Sequence, residues 1–213
     1  MIRVATFRFN RLEENSYLAW DTEDGTALIV DPGCETPSEL ADMEAFIAQE
    51  GLRPAAILLT HLHLDHLSGC PPLMARYGME AYVSEGDREQ EENITKIARI
   101  NHFTLETSPG PFHYFGMGVQ DLQFGPIAVR VLPIGGHTRG SVAYYLPAAP
   151  AVFTGDTLVK GTLGFLESGY RELFDALRDY ILPLPDETRM FPGHGEESSI
   201  GEEKRSNRFF KRL

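Results

Sequence analysis

Apolar and polar positions alternate along the first third of the chain in short runs that predict strands at residues 2–9, 16–20 and 27–30. A helix is predicted at 38–50, where Leu40, Met43, Phe46 and Ile47 recur at helical spacing, with Ser38 as N-cap and Gly51 as the stop. Residues 55–59 (Ala-Ala-Ile-Leu-Leu) form an unbroken apolar run between Pro54 and Thr60, the pattern of a strand buried on both faces. Further on, a short helix is predicted at 68–77, a strand at 81–83 and charged, helix-prone chain at 85–99. Gly110, Gly116, Gly118 and Gly125, with Pro109 and Pro111, interleave with Phe112, Tyr114 and Phe115, so residues 107–125 read as an irregular aromatic-bearing loop. Strands at 127–132, 141–146 and 151–153, an amphipathic helix at 172–182, a short strand ending at Met190-Phe191 and a final helix at 201–210 complete the pattern. Strands and helices in this order predict two sheets with helices outside, an α/β sandwich forming one domain over 1–213, with no internal repeat or linker.

Composition narrows the function. With 213 residues, 42% hydrophobic and 23% charged, the chain has the makeup of a folded globular domain. A net charge of −12 argues against a nucleic-acid partner, because phosphate-tracking surfaces are basic, and leaves a small-molecule substrate as the expected partner. No stretch has membrane-spanning length, and residues 1–7 lack the apolar core of a signal peptide, so a cytoplasmic location is expected and no membrane partner. Cys34 and Cys70 are expected to remain thiols in that compartment. The oligomeric state is not legible.

The chemistry concentrates in Thr60-His61-Leu62-His63-Leu64-Asp65-His66, directly after the buried apolar run. Four metal-capable side chains fall within six residues there, and three more sit in glycine-rich turns: His137 in Gly135-Gly136-His137-Thr138, Asp156 in Thr154-Gly155-Asp156-Thr157, and His194 in Pro192-Gly193-His194-Gly195. Five of the seven histidines belong to this pattern, which scattered surface histidines would not produce. A mixture of imidazole and carboxylate suits zinc, iron or manganese rather than calcium or magnesium. Seven ligands exceed what one ion uses, so two divalent ions are expected, zinc first and iron or manganese as alternatives.

The motif order, Asp31-Pro32-Gly33, residues 60–66, Gly136-His137-Thr138, residues 154–157 and residues 192–195, resembles the metallo-β-lactamase superfamily, and within it the short single-domain glyoxalase II-like hydrolases. The likeness spans positions 31 to 195 and continues weakly to Asn207. It implies a four-layer αββα sandwich with the site at one sheet edge. It also implies that His61, His63 and His137 hold one metal, that Asp65, His66 and His194 hold the second, and that Asp156 bridges them. A hydroxide between two such ions would attack a substrate carbonyl whose oxyanion one ion stabilises. Asp65 would orient the nucleophile, and Asp31 would either support a ligand loop or merely form an Asp-Pro-Gly turn.

Thioester hydrolysis is the expected reaction, with lactone or phosphodiester hydrolysis or a mononuclear iron sulfur dioxygenase as alternatives. Asp156 argues against β-lactam cleavage, because lactamases of this fold resemble one another in carrying Cys at that place or lacking the bridging Asp. Glyoxalase II proteins carry a basic residue and a tyrosine shortly after the bridging Asp, and this chain has Gly164-Phe165-Leu166-Glu167 instead. Their closing Asn-Pro-Phe reads Asn207-Arg208-Phe209 here. Lys96, Lys160 and Arg139 are candidates to meet an anionic substrate group. The 107–125 segment, with His102 and His113 nearby, is either a substrate lid or a surface insertion.

Overall fold

Alternate residues of the central strands are apolar on both faces, and the computed structural model, which describes residues 1–105, 108–166 and 170–212, shows where each face goes. Strands β1 (Ile2–Phe9), β2 (Glu14–Asp21), β3 (Thr26–Val30), β4 (Arg53–Leu58), β5 (Glu80–Ser84) and β6 (Phe112–Phe115) form one sheet in sequence order. Strands β7 (Gln120–Phe124), β8 (Ile127–Pro133), β9 (Val142–Leu146) and β10 (Ala151–Gly155) begin the second sheet. A small hairpin, β11 (Leu158–Val159) with β12 (Thr162–Leu163), precedes β13 (Arg189–Pro192) and β14 (Ser198–Ser199), which complete it in the order β14-β13-β10-β9-β8-β7. Seven helices are used below: α1 (Pro37–Gln49), α2 (Leu64–Leu67), α3 (Cys70–Tyr77), α4 (Arg88–Glu91), α5 (Ile94–Ile100), α6 (Tyr170–Ala176), which continues as a π-helical turn through Ile181, and α7 (Ile200–Ser206).

Three separate cores make the layers explicit. Leu18, Ala27 and Ile29 face outward from the first sheet and pack with Met43 and Ile47 of α1, Leu73 of α3 and Ile94 of α5. Their chain neighbours Tyr17, Ala19, Leu28 and Val30 point the other way, onto Val129, Val142, Tyr144 and Phe153 of the second sheet. That sheet's outer face, Leu132, Ala143, Val152 and Met190, is covered by Leu173, Leu177, Ile181 and Ile200 of the C-terminal helices. The result is an αββα sandwich, and burial on both faces explains why residues 17–20 of β2, residues 27–30 of β3 and residues 56–59 are apolar without interruption.

Several expectations are corrected. Residues 112–115 and 120–124 of the supposed loop are strands: Phe112–Phe115 runs parallel to β5 as an edge strand, and Gln120–Phe124 pairs antiparallel with β8. Phe112 and Phe115 are buried there, so the aromatics are core residues and the intervening glycines mark the crossing between sheets. A lid over 107–125 does not fit this arrangement, and Thr107 lies outside the described residues. The N-cap of α1 is Thr36, not Ser38: Thr36 accepts from the Glu39 N–H and donates its own N–H to the Glu39 carboxylate, while Pro37 opens the helix with a φ already suited to it. The 85–99 stretch divides into a 3₁₀ turn, α4 and α5, and the last helix spans Ile200–Ser206, with a separate 3₁₀ turn at 210–212. Cys34 and Cys70 are both buried free thiols. No helix among the described residues is long and apolar enough to cross a membrane.

Candidate metal centre

Strand β4 runs through the middle of the first sheet and releases the chain at Leu59, so the next residues emerge at the sheet edge between the two sheets. The one-turn helix α2 then sets Asp65 and His66 toward the same point as His61 and His63. From the second sheet, the β8–β9 connection brings His137, the end of β10 brings Asp156 and the end of β13 brings His194. Close approach of these loops demands two glycines. A Cβ on Gly155, whose φ is +49°, would lie 2.4 Å from Thr60 Oγ1, and one on Gly193 would lie 2.2 Å from Asp156 Oδ1.

All seven predicted ligands converge. Ligand atoms of His61, His63 and His137 lie within 4.8 Å of one another, as do those of Asp65, His66 and His194. His137 Nε2 approaches His63 Nδ1 to 2.9 Å, and His194 Nε2 lies 3.1 Å from Asp65 Oδ2. Asp156 stands between the two groups: Oδ1 is 3.5 Å from His66 Nε2, while Oδ2 is 3.7 Å from His137 Nε2 and 3.5 Å from His194 Nε2.

Four of the imidazoles have Nδ1 engaged away from this focus: His61 with Thr60 Oγ1, His66 with Asp31 Oδ2, His137 with the Phe165 carbonyl and His194 with the Leu12 carbonyl. That arrangement fixes each ring and turns Nε2 inward, the habit of metal-binding histidines. His61 Nε2, His66 Nε2 and Asp156 Oδ1 are buried without a hydrogen-bond partner. Converging, desolvated polar atoms are costly without partners, and an imidazole and carboxylate donor set of this kind fits a pair of divalent cations.

Charge is divided unevenly. Burial, reinforced by the neighbouring imidazoles, pushes His61 well below the ordinary histidine range and His63 down to about 4. Burial acts the same way on His66, but the carboxylates of Asp156 and Asp65 outweigh it and hold His66 well above that range; His194 is raised through its bond to Asp65. Asp65 and Asp156 resist the effect of burial because of the facing His66, and both stay below the usual carboxylate range.

The supporting residues were less visible in the sequence. Asp31, at φ +48°, accepts from the Thr60 N–H at 2.7 Å, the Thr60 hydroxyl at 2.6 Å and His66 Nδ1 at 3.1 Å, so it holds a ligand loop rather than a plain turn. Asp87, not singled out by any motif, accepts from Leu62 N, Thr138 Oγ1 and Gly140 N and so ties the 60–66 loop to the loop bearing His137. Asn15 donates to the Pro192 and Gly195 carbonyls on either side of His194. Glu14, fully buried, accepts from Ser16 and lies 3.8 Å from His66 Nδ1. Of the residues proposed for an anionic substrate, Lys160 pairs with Glu196, Arg139 lines a different cleft behind residues 133–142, and Lys96 is exposed on α5. His113 lies tilted against Tyr82 away from the site, His102 donates its N–H to the Arg99 carbonyl and offers its own carbonyl to Arg11, and Glu167 lies outside the described residues.

Comparison with known proteins agrees with this geometry. Residues 10–194 match the family model of the metallo-β-lactamase superfamily. The chain is 32% identical to the hydroxyacylglutathione hydrolase GloC of Haemophilus influenzae, covering 92% of each protein, and 29% identical to the probable metallo-hydrolase YqgX of Bacillus subtilis, covering 93% of this chain and 92% of the other. Among solved structures it is similar to the BLEG-1 B3 metallo-β-lactamase, with a TM-score of 0.87 at 27% identity over 98% of this chain and 99% of that one. It is also similar to TTHA1623 in a di-iron-bound form, with a TM-score of 0.81 at 34% identity over 96% and 99%. The chain therefore belongs to the metallo-β-lactamase superfamily, whose fold binds dinuclear metal sites, and is a metallo-hydrolase of that superfamily.

Proposed function

We propose that this protein hydrolyses small-molecule thioesters with two zinc ions, one held by His61, His63 and His137, the other by Asp65, His66 and His194, with Asp156 shared. The observation that carries the proposal is the set of buried polar atoms without a hydrogen-bond partner, His61 Nε2, His66 Nε2 and Asp156 Oδ1, within a cluster in which Nδ1 of His61, His66, His137 and His194 is already engaged. Two bound divalent ions supply an acidified water and a polarised carbonyl. Asp65, held ionised by His66 and His194, is placed to accept a proton from the attacking water and to orient it toward the carbonyl carbon. A C–O bond would form, the C–S bond would break, and the proton taken by Asp65 would pass to the departing thiolate, so that carboxylic acid and thiol leave.

Likeness to GloC supports a thioester, while Phe165, 77% exposed where the family resemblance would place a cation, argues against selection of the glutathione moiety itself. No nucleic-acid or membrane partner and a cytoplasmic location belong to the same proposal.

The test is elemental analysis of protein purified without added metal, joined to kcat/KM for matched acyl thioesters on glutathione and on a small neutral thiol. Two metals per chain and thioester cleavage with less than tenfold preference for glutathione are expected. A single iron with dioxygen consumption would instead establish a sulfur dioxygenase. Because the likeness to BLEG-1 extends over the whole chain, a chromogenic cephalosporin belongs in the assay, and its preferred cleavage would overturn the thioester reading.

A further inference from the structure

The peptide that carries the metal ligands also carries an apolar surface. Leu62 and Leu64 alternate with His61, His63 and Asp65, and they floor a cleft of about 440 Å³ that reaches His63 and Asp65. Its walls are Leu12, Ile94, Ile97 and Phe103. Leu12 joins cleft to centre directly, because its carbonyl accepts from His194 Nδ1 while the residue lines the cleft. The volume lies within the range of small-molecule sites.

The lining specifies what would enter. Among the described residues, Gln90 and Asn101 are its polar members besides the two ligands, and no lysine or arginine lines it. The adjoining cation, Arg11, lies over the Phe103 ring at 4.5 Å and donates to the Asn101 and His102 carbonyls, so it buttresses the wall and does not face the cavity. Along these walls, among the described residues, an anionic group would meet no cationic side chain. Leu12 and Ile97 nevertheless remain 49% and 41% exposed, which leaves apolar surface open at the mouth, continuous with the site.

We infer that this cleft receives the acyl arm of the substrate, and that the arm is an unbranched or lightly branched alkyl chain of medium length with no charge. The inference rests on the thioester reading above and names its substrate class. Each methylene taken out of water is worth up to about fourfold in kcat/KM. Partial exposure of the walls reduces that gain, so an increase of at least about thirtyfold from acetyl to octanoyl is expected for thioesters of one small neutral thiol.

The experiment measures kcat/KM for that series on the metal-loaded enzyme, for wild type and for Ile97→Asp. Ile97 is 41% exposed, so the variant should fold, and the rise of kcat/KM from acetyl to octanoyl should flatten relative to wild type. In parallel, saturation-transfer NMR with octanamide, a neutral alkyl probe, should give a signal on wild type that Ile97→Asp loses. A flat chain-length series on an active enzyme would overturn the inference. Octanamide binding that depends on Ile97, in a protein inert to every thioester, would keep the alkyl cleft and overturn the thioester reading. Absence of both would overturn both.

Discussion

The two ligand groups of the centre differ in charge although they share a wall. His61, His63 and His137 form a neutral set whose rings are backed by a hydroxyl and a carbonyl, and whose first two members are held against protonation by burial. Asp65, His66 and His194 form a set that includes a carboxylate, with Asp31 behind His66. A cation in the first set gains mainly from lone pairs, and one in the second set gains from the carboxylate charge as well. The two sites should therefore respond differently to losing a backing group, and only a change at the shared carboxylate should strike both.

Asp156→Asn should have the largest effect. Its Oδ2 lies near both His137 and His194 and its Oδ1 near His66, so the substitution removes a charge that both groups share. Loss of at least about a thousandfold in kcat is expected, since several kcal/mol of metal-derived stabilisation depends on it. Metal content should fall below two per chain in the same preparation. Activity within tenfold of wild type would break the comparison at its centre.

Acidification of metal-free protein should separate the groups next. His63 titrates near 4 when folded and near its ordinary value when unfolded, so between those limits the unfolded chain binds a proton that the folded one refuses. Its contribution is present above about pH 6.5 and is lost as the pH falls toward 4, to a total of about 3 kcal/mol. His66 has the opposite sign: raised when folded, it contributes stability below about pH 6.5 that disappears as the pH rises through its folded value. Urea denaturation in chelator at several pH values should show His63→Asn flattening the acid limb and His66→Asn flattening the alkaline one. The same slope in both variants would refute the division of charge.

Sequence patterns revealed the ligands and the sandwich unequally well from their surroundings. His61, His63, Asp65 and His66 were conspicuous because four metal-capable groups crowd one turn, and the strands at 27–30 and 55–59 because burial on two faces leaves no polar interruption. Asp87 and Glu14 left no such trace: each lies among other acidic residues, and its significance comes from partners such as Thr138 and His66 that are 51 and 52 residues away in the chain. Strands β6 and β7 were hidden for a related reason. Proline and glycine density suggested a loop, while pairing to β5 and β8 decided the outcome.

Asp31→Asn sharpens the contrast between the groups at smaller amplitude. Its Oδ2 orients His66 directly, and loss of such a carboxylate behind a ligand typically costs 10- to 100-fold in metal affinity. Competition with a chromophoric chelator should show the weaker of the two binding steps shifted by about that factor and the tighter one moved less. An equal shift in both steps would mean that Asp31 acts on the whole loop through Thr60.

Thr60→Val addresses that remaining link and should be the mildest of the four. The Thr60 hydroxyl gives its hydrogen to Asp31 Oδ2 at 2.6 Å, so it can only accept from His61 Nδ1 at 3.0 Å. Nδ1 of neutral His61 then carries the proton, and its buried Nε2 is left as a bare lone pair pointing into the centre. Valine keeps the shape but removes both bonds, leaving Nδ1–H and one Asp31 lone pair without a partner, at a cost of about 1–3 kcal/mol. Thr60→Ser retains the hydroxyl and should recover most of that loss, with the missing methyl as the residual. The discriminating measurement is nitrogen-15 NMR of His61 in metal-free protein near pH 7. Wild type and Thr60→Ser should show protonated Nδ1 and bare Nε2, and Thr60→Val a tautomeric mixture with weaker binding in the neutral set alone; an unchanged tautomer in Thr60→Val would show that burial, not the hydroxyl, selects the ligand nitrogen.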